Sequence, residues 1–277
     1  MKTTVVLILS CLVLFSCAEH NVDKAETRLP VLERHFNMET GEAIAEKSFV
    51  YDKDRNLIRE SYKPLTSKVG GYETIYEYDD QHNNILTLSR GVSPEAGHFN
   101  LARYTYDGDK KIEEQFYGAD VNSHRPHTKV VFYYNGIQAD SSVTFQLFHD
   151  ENDYKFGGAS YFKYDNEGRV IEEQRRFFDG SLLVTKMNTY DGELLRETCN
   201  PVTGQEGVFN CTRYEYNAQK NLIRKYATLT GTADKLLEEH TYAEGLLTQS
   251  KIFEQKYYLP AYNADPTPFT LQILYEY

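Results

Sequence analysis

The 277-residue sequence contains no tryptophan, three methionines and eight prolines. Beyond its first seventeen residues it has no long apolar segment, and it has no cluster of lysine or arginine. Lysine and arginine number 30 against 41 aspartate and glutamate, which gives a formal net charge of −11. Nucleic acids and anionic lipid headgroups bind clustered basic side chains, so an acidic chain without such clusters is not expected to bind them.

Strongly apolar side chains are also scarce. Apolar residues make up 40% of the chain, but 23 residues are tyrosines, whose rings end in a hydroxyl. The strictly apolar fraction is therefore about a third, which is low for a chain that builds one thick core. The aromatic and apolar content is nevertheless too high for a disordered polymer. We expect a folded chain in which tyrosine replaces much of the usual leucine.

The first seventeen residues predict export. An apolar run from Val5 to Phe15 is too short to cross a ~30 Å hydrocarbon layer as a helix, but it has the length of a signal-peptide core. It ends in Leu14-Phe15-Ser16-Cys17, which resembles the lipobox of bacterial lipoproteins. Phe15 is a departure, because small or β-branched residues are commoner at its position. In that family, signal peptidase II cleaves before the cysteine, whose thiol has received a diacylglycerol.

The lipobox resemblance implies a location and a domain order. Residues 1–16 would be the signal peptide, Cys17 the lipidated residue with palmitate-type chains, and residues 17–30 a flexible tether. Two or three acyl chains would hold the protein firmly on a bilayer. The expected location is the bacterial cell envelope, at the outer membrane, with the folded domain outside the cytoplasm. The alternative is a plain secretory signal that is cleaved elsewhere.

An internal repeat organises residues 31–277, which we expect to form one domain. Each copy is an aromatic-x-Tyr-Asp/Asn motif followed by a polar turn and a segment rich in Leu and Ile. The position after the tyrosine recurs at steps of 27, 28, 28, 30, 26, 26 and 26 residues, and a half-copy ends the chain. The signature residues are Tyr51, Asp52, Tyr78, Asp79, Tyr106, Asp107, Tyr134, Asn135, Tyr164, Asp165, Tyr190, Asp191, Tyr216, Asn217 and Tyr242.

Each copy predicts a β-hairpin. The Tyr-x-Tyr alternation has a period of two and points both rings to one face of a strand. Asp107-Gly108, Asn135-Gly136 and Asp191-Gly192 match the left-handed pairs of two-residue turns. The longer turns at 52–56 and 217–221 place an Asn near the left-handed position, and the turn at 165–168 places a Gly there. The leading Asp or Asn is expected to accept a hydrogen bond from a backbone N–H of the turn.

The copies resemble the YD-repeat, or RHS-repeat, family over about residues 46–277. Departures are Asn135, Asn217 and Ala243, and the missing first aromatic at Asn188 and His240. Large members of that family wind their strands into a hollow shell around a cargo domain. Eight copies are too few for that shell and no cargo region follows them, so the resemblance implies the antiparallel, twisted repeat sheet and not encapsulation.

The expected fold is all-β: an antiparallel hairpin-repeat meander that forms a long, strongly twisted and curved sheet. Residues 31–37 predict a strand before the first full copy, so the array begins and ends with complementary half-units. These halves could pair and close the sheet into a barrel-like shell, which would remove its exposed edges. The favoured expectation is an open ribbon with capped ends, as in solenoids.

Cys199 and Cys211 flank a segment rich in turn residues, so neighbouring strands could bring the two sulfurs together. An oxidising exterior permits a disulfide at this place. The alternative is two unpaired thiols.

No motif for catalysis, a metal or a cofactor stands out. His124 and His127 are most simply explained as part of an exposed loop, and the acidic segment 150–153 lacks the Gly and distal Glu of a calcium-binding loop. Repeated Glu-Glu pairs cannot form a glycosidase dyad, because adjacent strand residues face opposite sides. The chain has no Gly-x-Ser-x-Gly motif, phosphate loop or dinucleotide fingerprint. We expect no enzyme, no metal and no cofactor.

The expected function is that of a membrane-anchored envelope scaffold or protein-interaction module. One alternative is a carbohydrate-binding surface lipoprotein that uses exposed tyrosines, although the lack of tryptophan counts against sugar stacking. A glycan hydrolase is a further alternative without support in the spacing. The partner would be an unidentified protein or glycan.

Overall fold

A computed structural model describes residues 28–66, 70–92, 99–117, 125–147, 153–202, 204–253 and 270–277. These residues form β-strands and turns without a helix. The strands, β1 to β18 in chain order, are Leu32–Asn37, Ala43–Tyr51, Leu57–Pro64, Tyr72–Tyr78, Asn84–Gly91, Phe99–Asp107, Lys110–Phe116, Thr128–Asn135, Gln138–Gln146, Lys155–Tyr164, Val170–Arg176, Leu182–Asp191, Leu194–Pro201, Phe209–Tyr216, Leu222–Leu229, Lys235–Ala243, Leu246–Ile252 and Leu271–Glu276.

Every strand pairs antiparallel with its neighbours in the chain, so the predicted meander is confirmed. The first and last strands also pair, from Leu32 opposite Glu276 to Asn37 opposite Leu271. The sheet is thus a closed barrel, and the favoured expectation of an open ribbon was wrong. In an open ribbon the first and last strands would be sheet edges with unpaired backbone groups. Closure pairs these two strands with each other.

The barrel has two rims. The turns within the repeat hairpins form the turn rim, and the segments that join one hairpin to the next form the linker rim. The first described residues lie at the turn rim, where the N–H of Val31 donates to the carbonyl of Glu276 at 2.7 Å. The hydroxyl of Tyr51, which precedes the first turn, donates to the carbonyl of Pro30 at 3.0 Å.

Each of the eight repeat hairpins contains a β-bulge just before its signature tyrosine. In the hairpin of β2 and β3, Val50 pairs with Arg59 and Tyr51 with Leu57, so Ile58 is the extra residue. A bulge bends its strand and increases the local right-handed twist. Eight bulges at one level of the sheet therefore supply the curvature that closure needs.

The inner face of the barrel contains several buried polar side chains. His35, Thr74, Asn188, Thr198 and Ser250 are buried, and the strand alternation places them on the face that also contains the signature tyrosines. The outer face contains exposed ion pairs, such as Arg34 with Glu46, Lys163 with Glu172 and Arg224 with Glu239.

The main apolar cluster lies where the barrel closes. We call it the seam cluster: Ile44, Ala45, Tyr62, Ile252, Leu271 and Ile273, with Tyr275 packed against it. These residues belong to β2, β3, β17 and β18, next to the pairing of β1 with β18. The barrel therefore concentrates its hydrophobic stabilisation at the closure and leaves the remaining sheet thin.

Candidate functional site

The signature tyrosines link neighbouring hairpins through their hydroxyls. Tyr78 donates to the carbonyl of Leu57 at 3.0 Å, and Leu57 is the residue that pairs with the previous signature tyrosine, Tyr51. Tyr134, Tyr164, Tyr190, Tyr216 and Tyr277 make the same bond to Lys111, Ala139, Val170, Leu195 and Leu247, at 2.6 to 3.1 Å. Each acceptor lies at a bulge, where the strand ladder is locally disrupted. We call this series the tyrosine ladder.

Burial raises the pKa of the signature tyrosines above the ordinary value of a phenol. The pKa of Tyr51, Tyr106 and Tyr216 is raised to about 12. Burial likewise raises the pKa of Tyr78. A protonated hydroxyl is the hydrogen-bond donor that the ladder requires.

The signature Asp and Asn residues organise the longer turns, as the motif predicts. Oδ1 of Asp52 accepts the N–H groups of Asp54 and Asn56 at 2.9 and 2.8 Å. The hydrogen bond from the Asn56 side chain holds the pKa of Asp52 below its ordinary value. Asp79, Asp165 and Asn217 accept the equivalent pairs of N–H groups in their own turns.

The left-handed positions agree with the expectation in the longer turns and differ from it in the short ones. In the longer turns Arg55 and Lys220 have positive φ, one residue before Asn56 and Asn221, and Gly168 has positive φ itself. In the short turns Asp107 pairs with Lys110, so the loop is Gly108 and Asp109, and only Gly108 has positive φ. This is the pattern of a type II′ turn, which needs one left-handed residue where type I′ needs two.

A buried polar network lies beside the seam cluster. Oγ of Ser250 is 3.0 Å from the Tyr275 hydroxyl and 2.8 Å from Nδ1 of His240. Nε2 of His240 is 3.3 Å from Glu238, which Lys225 contacts at 2.7 Å. The serine–histidine–carboxylate order is that of a hydrolase triad, but Ser250 is only 1% exposed and its hydroxyl is within hydrogen-bond distance of the Tyr275 hydroxyl. We assign this network to the barrel closure.

Sequence reasoning missed this network, because its members are far apart in the repeat pattern. His240 stands at the position where most copies have the first aromatic residue of the motif. In the fold its imidazole is hydrogen-bonded to Ser250. The departure from the motif was therefore the signal that could have identified the site.

Cys199 and Cys211 are joined by a disulfide across β13 and β14. They are directly opposite each other in the strand register, with Cα atoms 4.0 Å apart. The bond lies on the outer face, because Thr198 between Cys199 and Glu197 is buried with its hydroxyl on Asn188.

The other residues that the sequence suggested as possible lipidation, metal or catalytic sites are located as follows. Cys17, His124 and residues 150–152 lie outside the described residues. Nδ1 of His127 lies 2.8 Å from the hydroxyl oxygen of Thr128, at hydrogen-bond distance. Glu238 and Glu239 face opposite sides of the sheet, since Glu238 contacts buried His240 and Glu239 contacts exposed Arg224. The adjacent glutamates are therefore not a dyad, as the strand alternation requires.

Exposed apolar side chains concentrate at the linker rim. Phe178 is 82% exposed in the turn between β11 and β12, and Phe156 on β10 and Leu182 and Leu183 on β12 are exposed at the same rim. We call these four residues the rim patch. Met38, Leu65, Tyr72, Val92 and Leu229 are further exposed apolar residues of this rim. A search of the described part of the chain finds no helix that could span a membrane.

No protein-family model and no curated protein matches this sequence. Among solved structures, the TcdB2–TccC3 complex is similar at 12% identity and a TM-score of 0.35, over 79% of this chain and 15% of that one. Porin-like proteins from Bacteroides uniformis and Bacteroides vulgatus are 11% and 12% identical, with TM-scores of 0.43 and 0.30. Each of these two alignments covers 88% of this chain, and 95% and 97% of the respective relative. The chain thus spans about 15% of the matched chain in the TcdB2–TccC3 complex but nearly all of the porin-like proteins. At these values the likeness identifies neither a family nor a function.

Proposed function

We propose that this chain is a lipid-anchored protein of the bacterial cell envelope that acts as a non-catalytic interaction module. Cys17 would be its acylated anchor and the linker rim its contact surface for another protein. The observation that carries this proposal is the rim patch, in which four apolar side chains of the segment from β10 to β12 are exposed at one rim of the barrel. Exposed apolar groups that lie together mark interaction sites far more often than isolated ones.

The position of the chain ends supports the orientation. Residues 28–31 lie at the turn rim, where Val31 and Pro30 bond to Glu276 and Tyr51. The preceding residues 18–27 of the tether can extend at most about 35 Å, at roughly 3.5 Å per residue. An anchor at Cys17 would therefore hold the turn rim towards the bilayer and leave the rim patch free to face a partner.

The charged side chains of the outer face indicate that water surrounds the barrel. Arg59, Lys163 and Arg224 have more than 40% of their side chains exposed, and each lies within 4.0 Å of a glutamate. Charged side chains are costly against hydrocarbon. The lipid contact in this proposal is therefore limited to the acyl chains on Cys17.

The tyrosine ladder argues against the carbohydrate alternative. A sugar-binding platform needs free hydroxyls and open ring faces, whereas Tyr78, Tyr134 and Tyr216 donate their hydroxyls to backbone carbonyls. The rings also lie on the half-buried inner face. We therefore assign these tyrosines to the structure of the sheet.

Fractionation tests the anchor. Cys17→Ala should release the protein from the membrane fraction or leave its signal peptide uncleaved. Cys11→Ala is the matched control, because Cys11 lies inside the apolar run, and it should fractionate like the wild type. A Cys17→Ala protein that migrates and fractionates like the wild type would refute the lipoprotein assignment.

Site-specific photo-crosslinking in cells tests the contact surface. A photoreactive residue at Phe178, 82% exposed on the linker rim, should give a discrete crosslinked protein. The same residue at Ile137, 69% exposed on the turn rim, is the control and should not give that product. Equal products from both positions, or none from Phe178, would contradict the assignment of the linker rim.

A further inference from the structure

The outer face of β13 and β14 brings two sulfur atoms and one carboxylate together. The Sγ atoms of Cys199 and Cys211 and a carboxylate oxygen of Glu197 all lie within 4.8 Å of one another. All three residues are half-buried, so an ion in solution can reach them. We propose that reduction of the disulfide converts this place into a binding site for a soft divalent cation, with Zn²⁺ as the expected ion.

The donor set fits zinc. Thiolate and carboxylate are both ordinary zinc ligands, and a tetrahedral site holds such donors about 3.5–3.8 Å apart. Cleavage of the sulfur–sulfur bond lets the two cysteine side chains rotate to that separation, and the Glu197 carboxylate, within 4.8 Å of both sulfurs, needs only a small side-chain rotation to reach it. Two cysteines and one glutamate leave the fourth position for a water molecule.

Glu197 has no ion pair or hydrogen bond among the described residues, although a cation lies directly opposite. Arg213 is its cross-strand partner in the register. The guanidinium of Arg213 is bonded to Asp234 at 3.1 Å and to Glu215 at 2.7 Å. It also stacks on the ring of Tyr226, 4.4 Å from its centroid. These contacts hold Arg213 on the side of β15 and leave the Glu197 carboxylate available to a cation.

The conversion from disulfide to zinc site takes two steps, reduction and metal binding. A dithiol reductant gives two electrons and two protons to the Cys199–Cys211 bond, which yields two thiols and the oxidised, cyclic disulfide of the reductant. Binding of Zn²⁺ then releases the two thiol protons to solvent, because thiolates are the ligands. The strands β13 and β14 are cross-linked in both states, first by the disulfide and then by the metal.

Cobalt titration tests the site, because Co²⁺ bound to thiolate gives a sulfur-to-metal charge-transfer band. The sample is the full chain with Cys11→Ser and Cys17→Ser, so that only Cys199 and Cys211 contribute thiols. The reduced protein should develop the band at one Co²⁺ per chain and lose it when Zn²⁺ is added. The oxidised protein should show no band.

Glu197→Gln identifies the third ligand. It should weaken Zn²⁺ binding by about 10-fold or more, as loss of metal-site interactions does. Glu239→Gln is the matched control, since Glu239 lies on the same outer face in a pair with Arg224, and it should leave the affinity unchanged.

Three outcomes would overturn the proposal. One is a reduced, folded protein without the charge-transfer band. Another is an affinity that Glu197→Gln does not change. The third is a reduced chain that loses its β-sheet circular dichroism and does not regain it with Zn²⁺, because the site requires the paired strands.

Discussion

The hydroxyl of Tyr78 donates a hydrogen bond to the carbonyl of Leu57, one hairpin earlier in the chain, at 3.0 Å. Leu57 lies at the bulge opposite Tyr51, so the bond joins the signature tyrosines of two successive copies through one backbone group. The repeat unit is therefore not a self-contained hairpin. Five of the full copies and the closing half-copy place a tyrosine hydroxyl on the bulge of the copy before them, which favours a fixed spacing between the tyrosine and the turn.

Tyr78→Phe isolates the hydroxyl. It should lower the free energy of unfolding by about 1 kcal/mol, because one hydrogen bond is lost while the ring remains. Tyr78→Ala should lower it by about 2–4 kcal/mol, because the ring contacts are also lost. Urea denaturation measures both values. If Tyr78→Phe is as stable as the wild type, the ladder bond does not contribute to stability.

The partly buried signature tyrosines predict unfolding in alkali. The pKa values of Tyr51, Tyr106 and Tyr216 are raised from 10.0 to about 12 in the folded chain. Because the protonated form is favoured by folding, this stability is complete below pH 10 and is lost as the pH rises towards 12. Tyrosinate absorbance and circular dichroism should change together in that range. Tyrosines that ionise near pH 10 with the sheet intact would contradict the role of burial.

Gly192→Val tests the short turns. Gly192 has a φ of +55°, and a Cβ there would meet no atom within 4 Å, so any cost arises from the backbone conformation alone. We expect a loss of about 1–2 kcal/mol, since a β-branched residue is poorly tolerated at positive φ. Glu193→Val, at the next residue with an ordinary φ, is the control for thermal denaturation. An equal effect of both changes would mean that φ at Gly192 does not matter.

Glu244→Asn should stabilise the protein. Glu244 and Gly245 both have positive φ, which is the pattern of a type I′ turn, and Asn-Gly is the pair that this turn favours. We expect a gain of about 0.5–1 kcal/mol in unfolding free energy. Asp109→Asn removes the same charge at a turn residue without positive φ and should change stability little. A gain of equal size in both variants would indicate an effect of charge.

Leu271→Ala tests the closure of the barrel. Leu271 is 1% exposed in the seam cluster, and the change should cost about 2–5 kcal/mol, as deletion of a buried leucine side chain does. Leu274→Ala removes the same atoms from the same strand at a position that is 38% exposed, and it should cost less than about 1 kcal/mol. Chemical denaturation of the two variants should separate them. Similar costs would show that the seam cluster does not stabilise the closure.

The hairpins follow from the amino-acid sequence alone, because the interactions that specify them are local. The Tyr-x-Tyr alternation specifies the strands, and the leading Asp52, Asp79, Asp165 or Asn217 specifies where each long turn begins by accepting its N–H groups. The sequence also indicates that Cys199 and Cys211 stand on neighbouring strands, since the segment between them is a turn. Short-range hydrogen bonds are set by spacing alone, so a pattern can predict them.

Closure of the sheet is visible in the tertiary structure alone. Pairing of Leu32 with Glu276 joins residues at opposite ends of the described chain, and it depends on twist and bulges that accumulate over eighteen strands. The same is true of Ser250, His240 and Tyr275, which meet because the seam brings β16, β17 and β18 into one register. Closure depends on a sum of many small bends, whereas a sequence motif specifies one bend at a time.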